Sequence, residues 1–165
     1  MLLAGPSLAH RLEAAEQRLS VSLAAAASRA GADAFALPLA GGAAVFSGAG
    51  SPFNKVIGLG FAGPLEPADL AAIEAAYVAH GAPIQVELST LAEPSIAPLL
   101  TGRGYALVGF EDVLGRALEP GLADAARTGC DVATMTTAPG SKSQHNARRQ
   151  GFELLYTRAI LVRPA

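Results

Sequence analysis

The sequence predicts an α/β fold, a mixed sheet flanked by helices, and three observations carry that reading. First, a strand–helix–strand unit occurs twice, over residues 80–118 and 128–165, and each copy closes its helix on a Gly-aromatic pair, Gly104-Tyr105 and Gly151-Phe152. At the same separation of 47 positions Leu107 matches Leu154, Val108 matches Leu155, Val113 matches Ile160, Leu114 matches Leu161 and Arg116 matches Arg163. Second, short stretches alternate with period two, as in Ile84, Val86 and Leu88 against Gln85 and Glu87. Third, longer stretches repeat apolar residues every three or four positions. Two copies are too few for a solenoid and point to a duplicated half-domain.

Residues 7–30 read as a helix, with Leu8, Leu12, Ala15, Leu19, Leu23 and Ala26 on one face and Arg11, Glu13, Glu16, Gln17 and Arg18 filling the rest. Ser7 is its expected N-cap and Gly31 its stop. Strands follow at 43–47 and 56–61, a hairpin-like pair joined by GAGSPFNK. Gly48, Gly50 and Ser51 in that loop form either a backbone anion nest, with Lys55 as counter-charge, or an ordinary turn; the turn is favoured. The next helix, 67–80, begins in AGPLEPAD. Pro64 and Pro67 remove N–H donors and Glu66 and Asp69 oppose an anion, so this helix start is structural and phosphate binding is not expected there. Strand 83–88, helix 94–103 and strand 105–116 make the first copy of the unit, with Gly109 or Gly115 marking a bulge or bend. A short helix at 121–128, strand 131–136, a helix at 141–150 capped by Ser141 or Ser143, and strand 153–162 make the second.

Composition bounds the function. In 165 residues there are 12 Lys and Arg against 14 Asp and Glu, a net charge of −2, which argues against a nucleic-acid partner or a polybasic membrane contact. Hydrophobic content is 51% but aromatics only 5%, so the core must be aliphatic. The single Cys130 excludes an internal disulfide and a cysteine-based metal cluster, and reads as an inert core thiol. No metal-ligand spacing and no Ser/His/Asp set occurs, and His145 reads as exposed. No apolar run approaches the roughly 18 residues of a membrane span. The Ala-rich stretch 23–27 follows Glu13 and Glu16, where a signal peptide needs positive charge. The expectation is a soluble cytoplasmic protein.

Residues 129–163, GCDVATMTTAPGSKSQHNARRQGFELLYTRAILVR, resemble the C-terminal end of a GNAT acyl-CoA N-acyltransferase through the strand, PGSxSQxN, Gly151-Phe152 and the YTR strand. Residues 35–118 are similar to the N-terminal half of larger bacterial proteins of that type, in the runs SPFNKVIGLGF, VELSTL and GYALVGFEDVLGRAL. The resemblance implies a GNAT-like sheet in a tandem arrangement. Residues 1–118 would form an N-terminal helix plus a degenerate lobe, and 119–165 the end of a second lobe packed with it as one globular unit. It further implies acetyl-CoA as cosubstrate, with Ser141, Ser143 and Asn146 beside its pantetheine arm, and an amine as acyl acceptor. The family's Arg/Gln-x-x-Gly-x-Gly/Ala phosphate loop has no counterpart, because only Glu119, Pro120 and Gly121 stand where it would lie. The position of the family's tyrosine acid is Ala147.

Two readings follow. As an acetyltransferase, the chain would use a carboxylate base, Glu87 or Glu111, and Tyr156 as the acid that protonates the departing thiolate. As a non-catalytic remnant of the GNAT fold, it would bind or dimerise, its incomplete second lobe exposing a strand edge to a second copy. Glu87 also has structural alternatives, a solvated sheet face or a partner for Arg103 or Arg116.

Overall fold

A computed structural model describes residues 4–118, 125 and 129–165. The element order is α1 (Pro6–Arg29), β1 (Phe35–Leu39), β2 (Gly42–Phe46), β3 (Lys55–Ile57), α2 (Pro67–Ala79), β4 (Ile84–Ser89), α3 (Ile96–Gly102), β5 (Ala106–Ala117), β6 (Val132–Thr137), α4 (Lys142–Arg149) and β7 (Glu153–Arg163). The fold is mixed α/β, with one seven-stranded sheet in the order β1-β2-β3-β4-β7-β5-β6. Among the described residues only β3 and β4 pair in parallel. The helix expected at 121–128 falls largely outside the described residues. Among the described residues no helix is long and apolar enough to cross a membrane.

The helices divide between the two faces. On one, Leu70, Ile73 and Tyr77 of α2 and Ile96 and Leu100 of α3 pack with Phe46, Val56, Ile84, Val86 and Leu161 in a core that is not the purely aliphatic one expected but holds a cluster of the Phe35, Phe46 and Tyr77 rings. α4 lies on that same side, where Gln144 donates to Asp112 and Arg116 donates to the carbonyl of Gln150. On the other face, among the described residues, α1 lies alone, with Ala9 against Val113, Leu155 and Tyr156, and Ala24 against Ala43 and Val45.

The structure corrects the sequence reading at several points. Strand β1 was not expected. Its pattern is mostly exposed and holds Pro38, which a sheet tolerates at an edge, where no ladder N–H is needed. It joins β2 through Ala40-Gly41, both with positive φ (46° and 82°), the turn geometry that follows the twist of a tight hairpin. β3 is only three residues long and ends before Gly58 and Gly60. α1 begins one residue earlier than expected, at Pro6 with Gly5 as N-cap, so Ser7 does not cap it. Its buried stripe is Ala9, Glu13, Ser20 and Ala24, not the leucine face: Leu19 is 57% exposed. The reason is electrostatic, since the sheet beneath α1 carries a buried arginine that needs acids above it. Cys130 is exposed, not a core thiol.

The repeated unit shows itself in the strand register. β7 lies between β4 and β5, and β5 lies between β7 and β6. Exchanging β4 with β6 and β5 with β7 therefore leaves the four-strand order unchanged. The pairing obeys the 47-residue separation residue by residue. Leu107↔Leu161 corresponds to Leu154↔Leu114, Gly109↔Ile160 to Tyr156↔Val113, Phe110↔Ala159 to Thr157↔Asp112, and Ala106↔Val162 to Glu153↔Gly115. The two register shifts also correspond, one at Val108 and one at Leu155. Gly109 thus adjoins one bulge. Gly115 faces the other, where a Cβ would stand 2.4 Å from Leu155 Cδ1. The helix ends match as well: Gly104 and Gly151 have φ of 88° and 83°, Tyr105 N–H donates to Leu100 and Phe152 N–H to Ala147. That motif alone does not single out the repeat, because α1 and α2 end the same way at Gly31 and Gly81. The register does.

Candidate functional site

A charged cluster lies between α1 and the sheet. Arg158 on β7 is 1% exposed. Its Nε donates to Glu13 Oε1 (2.8 Å), Nη2 to Glu16 Oε2 (2.7 Å), and Nη1 to Glu111 Oε2 (3.2 Å) and Glu87 Oε2 (3.4 Å). Lys55 on β3 donates to Glu16 Oε1 (2.8 Å) and Glu87 Oε2 (2.9 Å). Tyr156 donates its hydroxyl hydrogen to Glu13 Oε1 (2.7 Å), and Gln85 donates to Glu87 Oε1 (3.1 Å). Four carboxylates thus surround two cations.

Glu87, Glu111 and Tyr156, the three residues expected to do acid–base work, are brought together here around Arg158. Glu87 partners Lys55 and Arg158, and neither Arg103 nor Arg116: Arg103 pairs with Glu74 on the opposite face, and Arg116 reaches Gln150. Burial raises the Glu87 carboxyl above its ordinary value, against the pull of Lys55. Burial acts upward on Glu16 too, but Arg158 and Lys55 outweigh it and hold that carboxyl low. Burial and the Glu13 carboxylate push the Tyr156 phenol well up, so it remains a proton donor. Burial opposes the charge on Arg158, and Glu13 and Glu16 overcome it. Among the described residues no group of three or more His, Cys, Asp or Glu is placed to hold a metal ion.

Two cavities flank β6. One, of about 360 Å³ on the α1 side, is lined by Leu12, Glu16, Leu19, Thr136, Tyr156 and Arg158. Of the three expected catalytic residues only Tyr156 lines it. The other, of about 520 Å³ on the α4 side, is lined by Ser143, Asn146, Arg149, Gln150, Phe152 and Met135. Met135 borders both. Ser143 and Asn146, expected at the cofactor, share this second groove. Ser141 is instead engaged in capping α4, its Oγ accepting from the Gln144 N–H (3.2 Å). His145 is exposed and its Nδ1 meets the Ser141 carbonyl. The loop at 48–55 is an ordinary turn, closed by Asn54, which accepts from Ser47 N–H and donates to Gly48 O, while Lys55 points away into the charged cluster.

Sequence reasoning missed Glu13, Glu16 and Arg158. The available signals were an acid pair three residues apart on α1, which shares a helix face, and the alternation that sets Arg158 on the same side as Tyr156. Compared with family models, with curated proteins and with solved structures, the chain finds no match.

Proposed function

We propose that the chain is a GNAT-like acyltransferase lobe that takes an acetyl group from acetyl-CoA to an amine. The observation that carries the reading is the pair of cavities meeting at β6, one lined by Ser143 and Asn146 and the other by Tyr156 and Glu16. In this reading the pantetheine arm lies along α4, where Ser143 and Asn146 supply hydrogen bonds and Lys142, Arg148 and Arg149 offset the phosphate charge. The amine enters from the α1 side, with Glu16 holding the ammonium. The ammonium gives a proton to solvent water, the amine nitrogen attacks the thioester carbon, the C–N bond forms and the C–S bond breaks. In this reading Tyr156, at the cavity wall, gives its hydroxyl proton to the departing thiolate and regains one from solvent. Without a glycine phosphate loop, binding of acetyl-CoA is weak.

A second reading rests on the saturation of the cluster. Glu87 is committed to Lys55, Arg158 and Gln85, and Tyr156 to Glu13, which is the arrangement of a structural ion-pair network. On this reading the chain binds acetyl-CoA, or a second copy, without turnover. Calorimetric titration with acetyl-CoA, followed by an assay for free thiol with a panel of amines, separates the two. Binding with thiol release supports the enzyme, binding without release supports the module, and no heat removes both acyl-CoA readings.

A further inference from the structure

The internal two-fold makes a statement about β6. Its counterpart β4 carries a parallel neighbour on its outer side, β3, with Val56 opposite Val86 and Ile57 opposite Glu87. Because β4 and β6 make equivalent contacts to β7 and β5, Val86 corresponds to Met135 and Glu87 to Thr136. Among the described residues β6 pairs with β5 alone. Its outer side is therefore the position that β3 fills in the first unit. The Leu118 N–H donates to Asp131 O (2.8 Å), which sets the hydrogen-bond alternation of the β5–β6 ladder. Ala133, Met135 and Thr137 then turn their main-chain groups toward β5, and Val132, Thr134 and Thr136 turn theirs outward.

We propose that this outer edge of β6 docks an extended peptide segment running parallel to it, with a lysine side chain entering the cavity beneath α1. A strand added at an open edge gains affinity from main-chain hydrogen bonds and specificity from alternate side chains that enter pockets. Here a pocket lies on each side of the edge. The residue opposite Thr136, like Ile57 opposite Glu87, faces α1. The chain already shows what suits that side, for Lys55 of β3 delivers its ammonium to Glu16 and Glu87. The cavity beside β6 combines Leu12 and Leu19, suited to a lysine's methylene stem, with Glu16; Arg158 lines it too, but in the cluster behind it Glu13, Glu16, Glu87 and Glu111 outnumber Arg158 and Lys55. Strand addition stands independently of acyl transfer; only the identification of the lysine amine as the acceptor rests on that reading.

The test uses a synthetic peptide of Thr, Ser and Val with one central lysine, its norleucine counterpart, and amide hydrogen exchange of the full chain. The lysine peptide is expected to bind saturably, to slow exchange at Val132, Thr134 and Thr136, and to bind about tenfold more tightly than the norleucine peptide. Thr134→Pro removes an outward N–H that no described residue uses, so thermal unfolding is expected to stay unchanged while peptide binding falls at least about tenfold. Undiminished binding by Thr134→Pro would overturn the proposal. So would protection of these amides without peptide that rises with protein concentration alongside a dimer in sedimentation, because a second copy then fills the edge. Peptide binding lost while acetyl-CoA binds would overturn this inference alone. Peptide binding with no acetyl-CoA binding would overturn the acyl-transfer reading alone.

Discussion

Glu111 on β5 stands directly across from Arg158 on β7, and the 47-residue separation of the two repeated units carries the one position onto the other. The pair therefore sits on the internal two-fold, where each unit contributes one residue. One unit supplies a carboxylate and the other a guanidinium, joined at 3.2 Å. The symmetry of the backbone is broken in charge at its centre, and α1 lies over that centre with Glu13 and Glu16.

Loss of Arg158 is consequently expected to be costly. Arg158→Met leaves Glu13, Glu16, Glu87 and Glu111 facing one another with Lys55 alone, and the expected cost is about 3–5 kcal/mol. Arg158→Lys recovers only part, because one ammonium cannot reach acids on α1, β4 and β5 together. Urea unfolding of the two variants measures this; a loss below about 1 kcal/mol would mean that the cluster is not a stabilising network.

Much of the architecture was legible because local signals carried it. Gly104 and Gly151 marked helix ends, and Ile84, Val86 and Leu88 a half-buried strand, since each depends on neighbours within a few residues. β1 was not legible: Pro38 and an exposed pattern give an edge strand no period-two signature. The buried face of α1 was misread for a longer-range reason. Leu12 and Leu19 outrank Glu13 in hydrophobicity, and it is Tyr156 and Arg158, 143 and 145 residues further on, that explain why Glu13 turns inward. Glu87 was singled out from its own strand, and Glu111 and Tyr156 through the acyltransferase resemblance, yet nothing local revealed that one arginine would gather them.

The repeated helix ends yield a matched pair of substitutions. Gly104→Val and Gly151→Val each place a β-branched residue at positive φ, at an expected cost above about 1 kcal/mol. At Gly104 an added Cβ meets nothing within 4 Å, so strain alone sets the cost; at Gly151 it approaches Arg116 at 3.7 Å. Thermal denaturation showing either variant as stable as the parent would contradict the left-handed assignment.

Acid should weaken the fold through two carboxylates. Hydrogen bonds from Arg103 and Arg163 hold the Glu74 carboxyl low despite its burial, and Glu16 is held low by Arg158 and Lys55 against burial. A carboxyl depressed in the folded state stabilises above its unfolded value, near 4.5, and that contribution is lost as pH falls through the folded value. Glu87, raised by burial, has the opposite sign and takes up a proton first. Stability measured by urea midpoint should therefore fall below pH about 4.5 in the parent, and fall less in Glu74→Gln. An identical slope in both would remove Glu74 from the account.

The acyl-transfer reading is tested most directly by calorimetric titration of acetyl-CoA into the parent chain and into the Ser143→Ala, Asn146→Ala double variant. Weak but saturable heat is expected from the parent, with affinity reduced about tenfold or more when both α4 side chains are truncated. Tight binding that the two substitutions leave unchanged, or no heat from the parent at all, would contradict it.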